Sequence, residues 1–140
     1  MTKDLPFRLL GGLHRNVYRL SGGKIGARIV NLPVLLLTTT GRKSGRPRTQ
    51  PLAYTRTSDG YAVIASKGGA ARHPLWYLNL RAYPLAEVTV GRETHKVRAR
   101  EAEGEERERL WRQMADVYPG YDRYARKTSR RIPVIVLAPV

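Results

Sequence analysis

The segment Gly41-Arg42-Lys43-Ser44-Gly45-Arg46-Pro47-Arg48 places two turn glycines among four cations. Backbone amides and guanidinium groups in such a loop can converge on one anion. It is not a nucleotide P-loop: Arg42 stands where the glycine before Lys-Ser belongs, and Pro47 blocks the helix that must follow. Taken alone, it reads equally as a solvated basic turn. Ser66-Lys67-Gly68-Gly69 repeats the combination of hydroxyl, cation and paired glycines, suited to an anion or to close approach of a ligand to the backbone. Trp76 and Tyr77 follow, fit either to cover a planar ring or to fill a core. Tyr118, Tyr121 and Tyr124 recur every three residues across Pro119-Gly120, so a helix starting at Gly120 puts their hydroxyls on one surface. There they either pack or donate hydrogen bonds into a pocket. His14, His73 and His95 are scattered, and neither metal-ligand spacing nor a nucleophile triad is present.

These residues need elements to hold them. Residues 33–39 form a branched apolar run ending at Gly41, a buried strand. Residues 49–56 and 61–66 flank Ser58-Asp59-Gly60 and are expected to pair as a hairpin. Both cationic loops therefore start where strands end. Residues 73–83 predict a short helix with Pro74 near its start, where a missing amide costs least. A second hairpin is expected from 86–90 and 94–100 around Gly91-Arg92-Glu93, with one face wet. Residues 103–117 predict a helix with acidic residues in the first turn and Leu110, Trp111, Met114 and Val117 on one stripe. Residues 132–137 close the chain as a central strand. At the other end, Leu5, Leu9, Leu10, Leu13, Val17 and Leu20 recur at helical spacing opposite Arg8, Arg15 and Arg19, a basic amphipathic helix stopped by Gly22-Gly23. It suits docking on the core or contact with an anionic membrane surface. Five or six mainly antiparallel strands with flanking helices make an α+β domain with a small barrel.

The 140 residues suit one domain spanning 1–140, with one site. With 41% hydrophobic and 26% charged residues the chain has enough apolar surface to fold. No cysteine is present, so disulfides and thiolate metal sites are excluded. No run approaches the roughly 18 apolar residues of a membrane span, and no secretory leader is visible, so a cytoplasmic protein is expected, with the first helix as its route to a membrane face. A formal charge of +15 points to an anionic partner. Nucleic acid is the rival reading of that charge, but no recognition helix or aromatic RNA motif accompanies it.

From Leu13 to Val140 the chain resembles the deazaflavin-dependent nitroreductases, also described as quinone reductases that use coenzyme F420. The likeness is densest in Leu35-Leu36-Leu37-Thr38-Thr39-Thr40-Gly41-Arg42-Lys43-Ser44-Gly45 and continues through Ser66-Lys67-Gly68-Gly69, Pro74-Leu75-Trp76-Tyr77-Leu78-Asn79-Leu80, Tyr118-Pro119-Gly120-Tyr121 and Ile132-Pro133-Val134-Ile135-Val136. It implies a split β-barrel related to FMN-binding barrels, and hydride transfer from reduced coenzyme F420, an 8-hydroxy-5-deazaflavin, to a quinone or nitroaromatic acceptor. Arg42, Lys43, Ser44, Arg48 and Lys67 match positions around the cofactor's phosphate and polyanionic oligoglutamate tail. Pro51, Leu52, Ile64, Ala65 and Ser66 match positions lining the deazaflavin, and Leu75, Trp76, Tyr77, Leu78 and Asn79 complete the pocket. Tyr121, then Tyr118 and Tyr124, match the acceptor side, where with Ser66 they form the reacting-side hydroxyls. A barrel that uses FMN, or sequesters a cofactor without turnover, is the alternative within the same fold.

Overall fold

A computed structural model describes residues 32–140. The amphipathic helix expected over residues 5–20 lies outside them. Seven strands, β1 (Val34–Thr40), β2 (Pro47–Ala53), β3 (Thr55–Arg56), β4 (Tyr61–Ile64), β5 (Leu85–Val90), β6 (Glu93–Glu101) and β7 (Val134–Pro139), form one antiparallel sheet in the order β2-β1-β5-β6-β7-β4-β3. Three helices accompany it: α1 (Leu75–Ala82), α2 (Gly104–Val117) and α3 (Gly120–Lys127). Among the described residues no helix is long and apolar enough to cross a membrane.

The period-two rule explains why the strands read as continuous apolar runs. On β4, Tyr61 and Val63 enter one core while Ala62 and Ile64 enter another; on β7, Ile135 and Leu137 face the first and Val134 and Val136 the second. The first core fills the barrel and takes Leu35, Leu37, Val88 and Val97 from the other strands and Trp76, Tyr77 and Leu80 from α1. The second lies under α2 and α3 and takes Leu110, Trp111, Met114, Ala115 and Tyr121. Each fully buried Leu or Val contributes about 1.5–3 kcal/mol, so strands buried on both faces fix the register strongly.

Two expectations change. Residues 49–56 are not one strand in a hairpin with 61–66. The segment breaks at Tyr54, whose amide donates to the carbonyl of Pro33 at 3.0 Å and whose ring packs edge-on against Tyr61 at 5.4 Å. Everything before the break pairs with β1, and only Thr55 and Arg56 pair with β4, which raises the strand count to seven. Because β2 and β3 are the two sheet edges and one residue joins them, the sheet must curl until its edges meet. Val117, expected on the buried stripe of α2, is 41% exposed. The helix closes there, with the Tyr118 amide on the Met114 carbonyl at 2.9 Å, and Pro119 turns the chain into α3.

Candidate functional site

A cavity of about 480 Å³ opens where β2 leaves the curled sheet. One wall is Gln50, Pro51, Leu52 and Ala53 of β2; the opposite wall is Ile64, Ser66, Lys67 and Gly68; Pro74 and Trp76 stand at the start of α1, and Tyr118, Tyr121 and Tyr124 form the remaining side. The size and mostly apolar lining suit a cofactor-sized ring system.

The tyrosine side is built by backbone constraints. Pro119 starts α3, and Gly120 lets the Tyr118 ring lie on the backbone: a Cβ there would sit 2.7 Å from the Tyr118 hydroxyl. The three rings then meet edge to face or tilted, Tyr118 on Tyr121 at 5.4 Å and Tyr124 at 6.1 Å from each of the others. The hydroxyls of Tyr118 and Tyr124 are hydrogen-bonded at 2.9 Å. Trp111 fixes the pair of helices by donating from Nε1 to Asp122 at 2.8 Å and by an edge contact with Tyr121 at 6.3 Å. Burial, with Tyr124 and Tyr118 beside it, pushes the Tyr121 phenol well above its ordinary value, so it stays a neutral donor.

The opposite wall turns sharply after β4. Lys67, Gly68 and Gly69 have φ of 46°, 63° and 81°, three successive left-handed residues. Glycine is required at 69 because a Cβ would fall 2.8 Å from the carbonyl of Tyr124, so the turn is pressed onto α3. Ser66 lines the cavity, and its hydroxyl bonds no other side chain among the described residues.

The basic loop joins β1 to β2. Gly41 and Arg46 close it through an amide–carbonyl bond of 2.8 Å, and the Ser44 hydroxyl accepts from the Arg46 amide at 3.1 Å, so Ser44 shapes the loop from inside. Asn79 seats it: its Oδ1 accepts from the Arg42 amide at 3.0 Å while its Nδ2 donates to Thr39 at 3.0 Å. Arg42, Lys43, Arg46 and Arg48 are exposed and make no ion pair with any described acid. Arg48 is three strand residues from Pro51, roughly 10 Å along β2, so the strand that forms one cavity wall also carries the end of the basic loop.

Residues 12–139 match the family model of the F420H(2)-dependent quinone reductases. The chain belongs to this family. An F420H(2)-dependent quinone reductase of Mycobacterium tuberculosis strain H37Rv is 43% identical over 129 residues, covering 89% of this chain and 87% of its own. A solved F420-H2 dependent reductase is 45% identical with a TM-score of 0.69, covering 75% of this chain and 93% of its own. Another solved structure, described as a domain-swapped dimer, is 39% identical with a TM-score of 0.69, covering 94% of this chain and 98% of its own. The split-barrel α+β fold is that of the family.

The reductase fold brings together Pro51, Leu52, Ile64, Ser66, Lys67, Trp76 and the three tyrosines around one cavity. It places others elsewhere. Ala65 is fully buried in the barrel core, and Tyr77 is buried there with its hydroxyl donating to Glu101 at 2.8 Å, an arrangement that with burial raises its pKa. Leu78 packs half-buried on the same core, Leu75 is 67% exposed, and Asn79 supports the basic loop from below. Gln50, Ala53 and Pro74 line the cavity although sequence reasoning did not assign them there, and Gly68, in the turn expected to let a ligand approach the backbone, lines it as well. For Gln50 and Ala53 the signal existed, since neighbours of Pro51 and Leu52 on an edge strand share their wall.

Proposed function

We propose that the cavity between β2 and the three tyrosines at the start of and along α3 is where this quinone reductase holds coenzyme F420 and its acceptor. The observation that carries the reading is the juxtaposition of an apolar, tyrosine-lined cavity with exposed cations that have no acid partner among the described residues. The structure fits the group: Pro51, Leu52, Ile64 and Trp76 offer flat apolar contact to a ring, and Arg42, Lys43, Arg48 and Lys67 offer charge to a phosphate and a polycarboxylate tail. Bound there, the reduced deazaflavin supplies the hydride.

The protein's own residues bind, orient and shelter. Trp76 and Ile64 would exclude water around the ring, Ser66 would offer it a hydroxyl, and Lys67 brings a cation to the wall. Tyr121 donates a hydrogen bond to the acceptor oxygen on which negative charge develops, and the linked hydroxyls of Tyr118 and Tyr124 hold a proton within reach of the same place. A nitro group on an aromatic ring presents oxygens in a similar plane, so nitroaromatics are expected as secondary acceptors. The basic amphipathic segment at residues 5–20 supports peripheral contact with an anionic membrane, from which an apolar quinone is drawn, while the protein remains cytoplasmic.

The test is a titration of the protein with oxidised F420, followed in the same cuvette by F420H2 and menadione. Saturable binding with acceptor-dependent reoxidation supports the reading. Failure to bind F420 while FMN binds would move the protein to the flavin barrels, and retention on DNA with no deazaflavin binding would return the charge to nucleic acid.

A further inference from the structure

Arg130 stands between α3 and β7 and lines no part of the main cavity, yet its side chain ends on the segment that forms the cavity's wall. Its Nε donates to the carbonyl of Ala70 at 2.8 Å, Nη2 to that of Ser66 at 2.7 Å and Nη1 to that of Ala65 at 3.2 Å, while Nη1 also lies 3.0 Å from Nδ1 of His73. No carboxylate among the described residues pairs with it, so its donors are spent on backbone rather than on charge neutralisation. A planar guanidinium is the side chain whose fixed fork can span three carbonyls at once.

Those three carbonyls bracket the left-handed turn. The turn's own bonds, Gly69 amide to Ser66 carbonyl and Ala70 amide to Lys67 carbonyl, close it but do not orient it. Lys67 at φ 46° is a non-glycine residue in a region that costs roughly 1–2 kcal/mol, so the surroundings must hold it there. Arg130 grips the turn from one side, and α3 supports it from the other, where Gly69 packs on Tyr124. The guanidinium thus ties the Ser66–Lys67 wall to the chain segment that carries the tyrosines.

We propose that Arg130 is a positioning residue for hydride transfer: by clamping Ala65, Ser66, Ala70 and His73 it sets the distance between the Lys67 wall and the tyrosine face of the cavity. The inference rests on the reading of that cavity as the F420 and acceptor pocket. Hydride transfer needs reacting atoms about 3–3.5 Å apart, and a misplacement of ~1 Å costs on the order of a hundredfold.

The experiment uses Arg130→Lys, which keeps the charge and removes the fork, and His73→Phe, which keeps the ring against Tyr77 and removes one clamp partner. With F420H2 and menadione, Arg130→Lys is expected to lose about ten- to a hundredfold in kcat, more than it loses in F420 affinity. The isotope effect with cofactor deuterated at the hydride position rises, because the chemical step becomes slower than its neighbours. His73→Phe shifts the same two quantities less, and serves alone if Arg130→Lys does not fold. A loss of kcat equal to the loss of folded protein by circular dichroism, with the isotope effect unchanged, overturns the proposal; so do parent-level kinetics in both variants. If the unaltered protein binds no F420, the cavity reading falls and takes the inference with it, an outcome distinct from normal turnover that ignores Arg130.

Discussion

Replacing Tyr121 with Phe removes one oxygen from the cavity and almost nothing else. The residue is 7% exposed and its ring packs on Trp111, Tyr118 and Tyr124, contacts that Phe retains. Its hydroxyl bonds no protein group among the described residues, so folding stability changes by less than about 1 kcal/mol. In the proposed reaction, the same hydroxyl donates to an oxygen that gains negative charge, and a hydrogen bond to a charged group is worth ~1.5–3 kcal/mol. At about 1.36 kcal/mol per tenfold, the acceptor-reduction rate should fall roughly 10- to 150-fold. Stopped-flow single turnover of bound F420H2 with menadione measures this directly, with F420 affinity and melting temperature as controls. A wild-type rate in Tyr121→Phe, or a loss shared equally by cofactor affinity, removes the phenol from the mechanism. The pH dependence adds a check on sign. The folded phenol is raised above 10.0, so the unfolded chain releases its proton first as pH climbs past 10.0; stability is intact below that pH and declines above it, and Tyr121 imposes no alkaline loss of rate below 10.0.

Lys43→Ala should weaken F420 binding about two- to fivefold, from the ~0.5–1 kcal/mol of an exposed ion pair, leave kcat at saturation unchanged, and lose its effect in high salt; equal affinities by fluorescence titration would detach the loop from the cofactor tail. Gly120→Ala puts a Cβ 2.7 Å from the Tyr118 hydroxyl, so it should displace that ring, break its bond to Tyr124 and cut acceptor reduction more than F420 affinity in paired kinetic and binding assays. Asn79→Ala strands the Arg42 amide and Thr39, a cost of about 1–3 kcal/mol read by urea melts, with weaker F420 binding because the basic loop loses its seat. His73 is held below its ordinary 6.5 by burial and by Arg130 and Arg81, against the opposing pull of Glu101. Its contribution to stability is therefore complete above pH 6.5 and lost as pH falls below it, a decline that melting curves should show in the parent protein and not in His73→Phe.

What could be read from the sequence was what depends on near neighbours. The three-residue spacing of the tyrosines and the Pro119-Gly120 break suffice to place those rings on one surface, and the β-branched run of residues 132–137 suffices to make β7 a central strand. What escaped depends on partners far along the chain. Nothing in residues 49–56 marks Tyr54 as the joint between two sheet edges, because the bond that holds it comes from Pro33 and the ring that packs it from Tyr61. Asn79, three residues after Trp76, belongs by spacing to the same helix face as the pocket, yet its amide is drawn under the basic loop by Arg42, 37 residues away. Arg130 reaches carbonyls 60 to 65 residues earlier, and backbone acceptors leave no trace in residue types. Its role is invisible until the fold exists.

The position of β7 sets a timetable for making the molecule. It follows every other described strand in the chain, yet it sits inside the sheet between β6 and β4, pairing with Val97 to Glu101 on one flank and Tyr61 to Ile64 on the other. Until it arrives, β4 and β6 present bare edges, the curl has no closure, and the two sides of the cavity have no fixed relation. A nascent chain can hold its hairpins but not its reaction vessel. The enzyme should therefore come into being in one late, long-range step, and a chain cut short before residue 134 leaves two open edges ready to pair with another copy rather than a partly working catalyst.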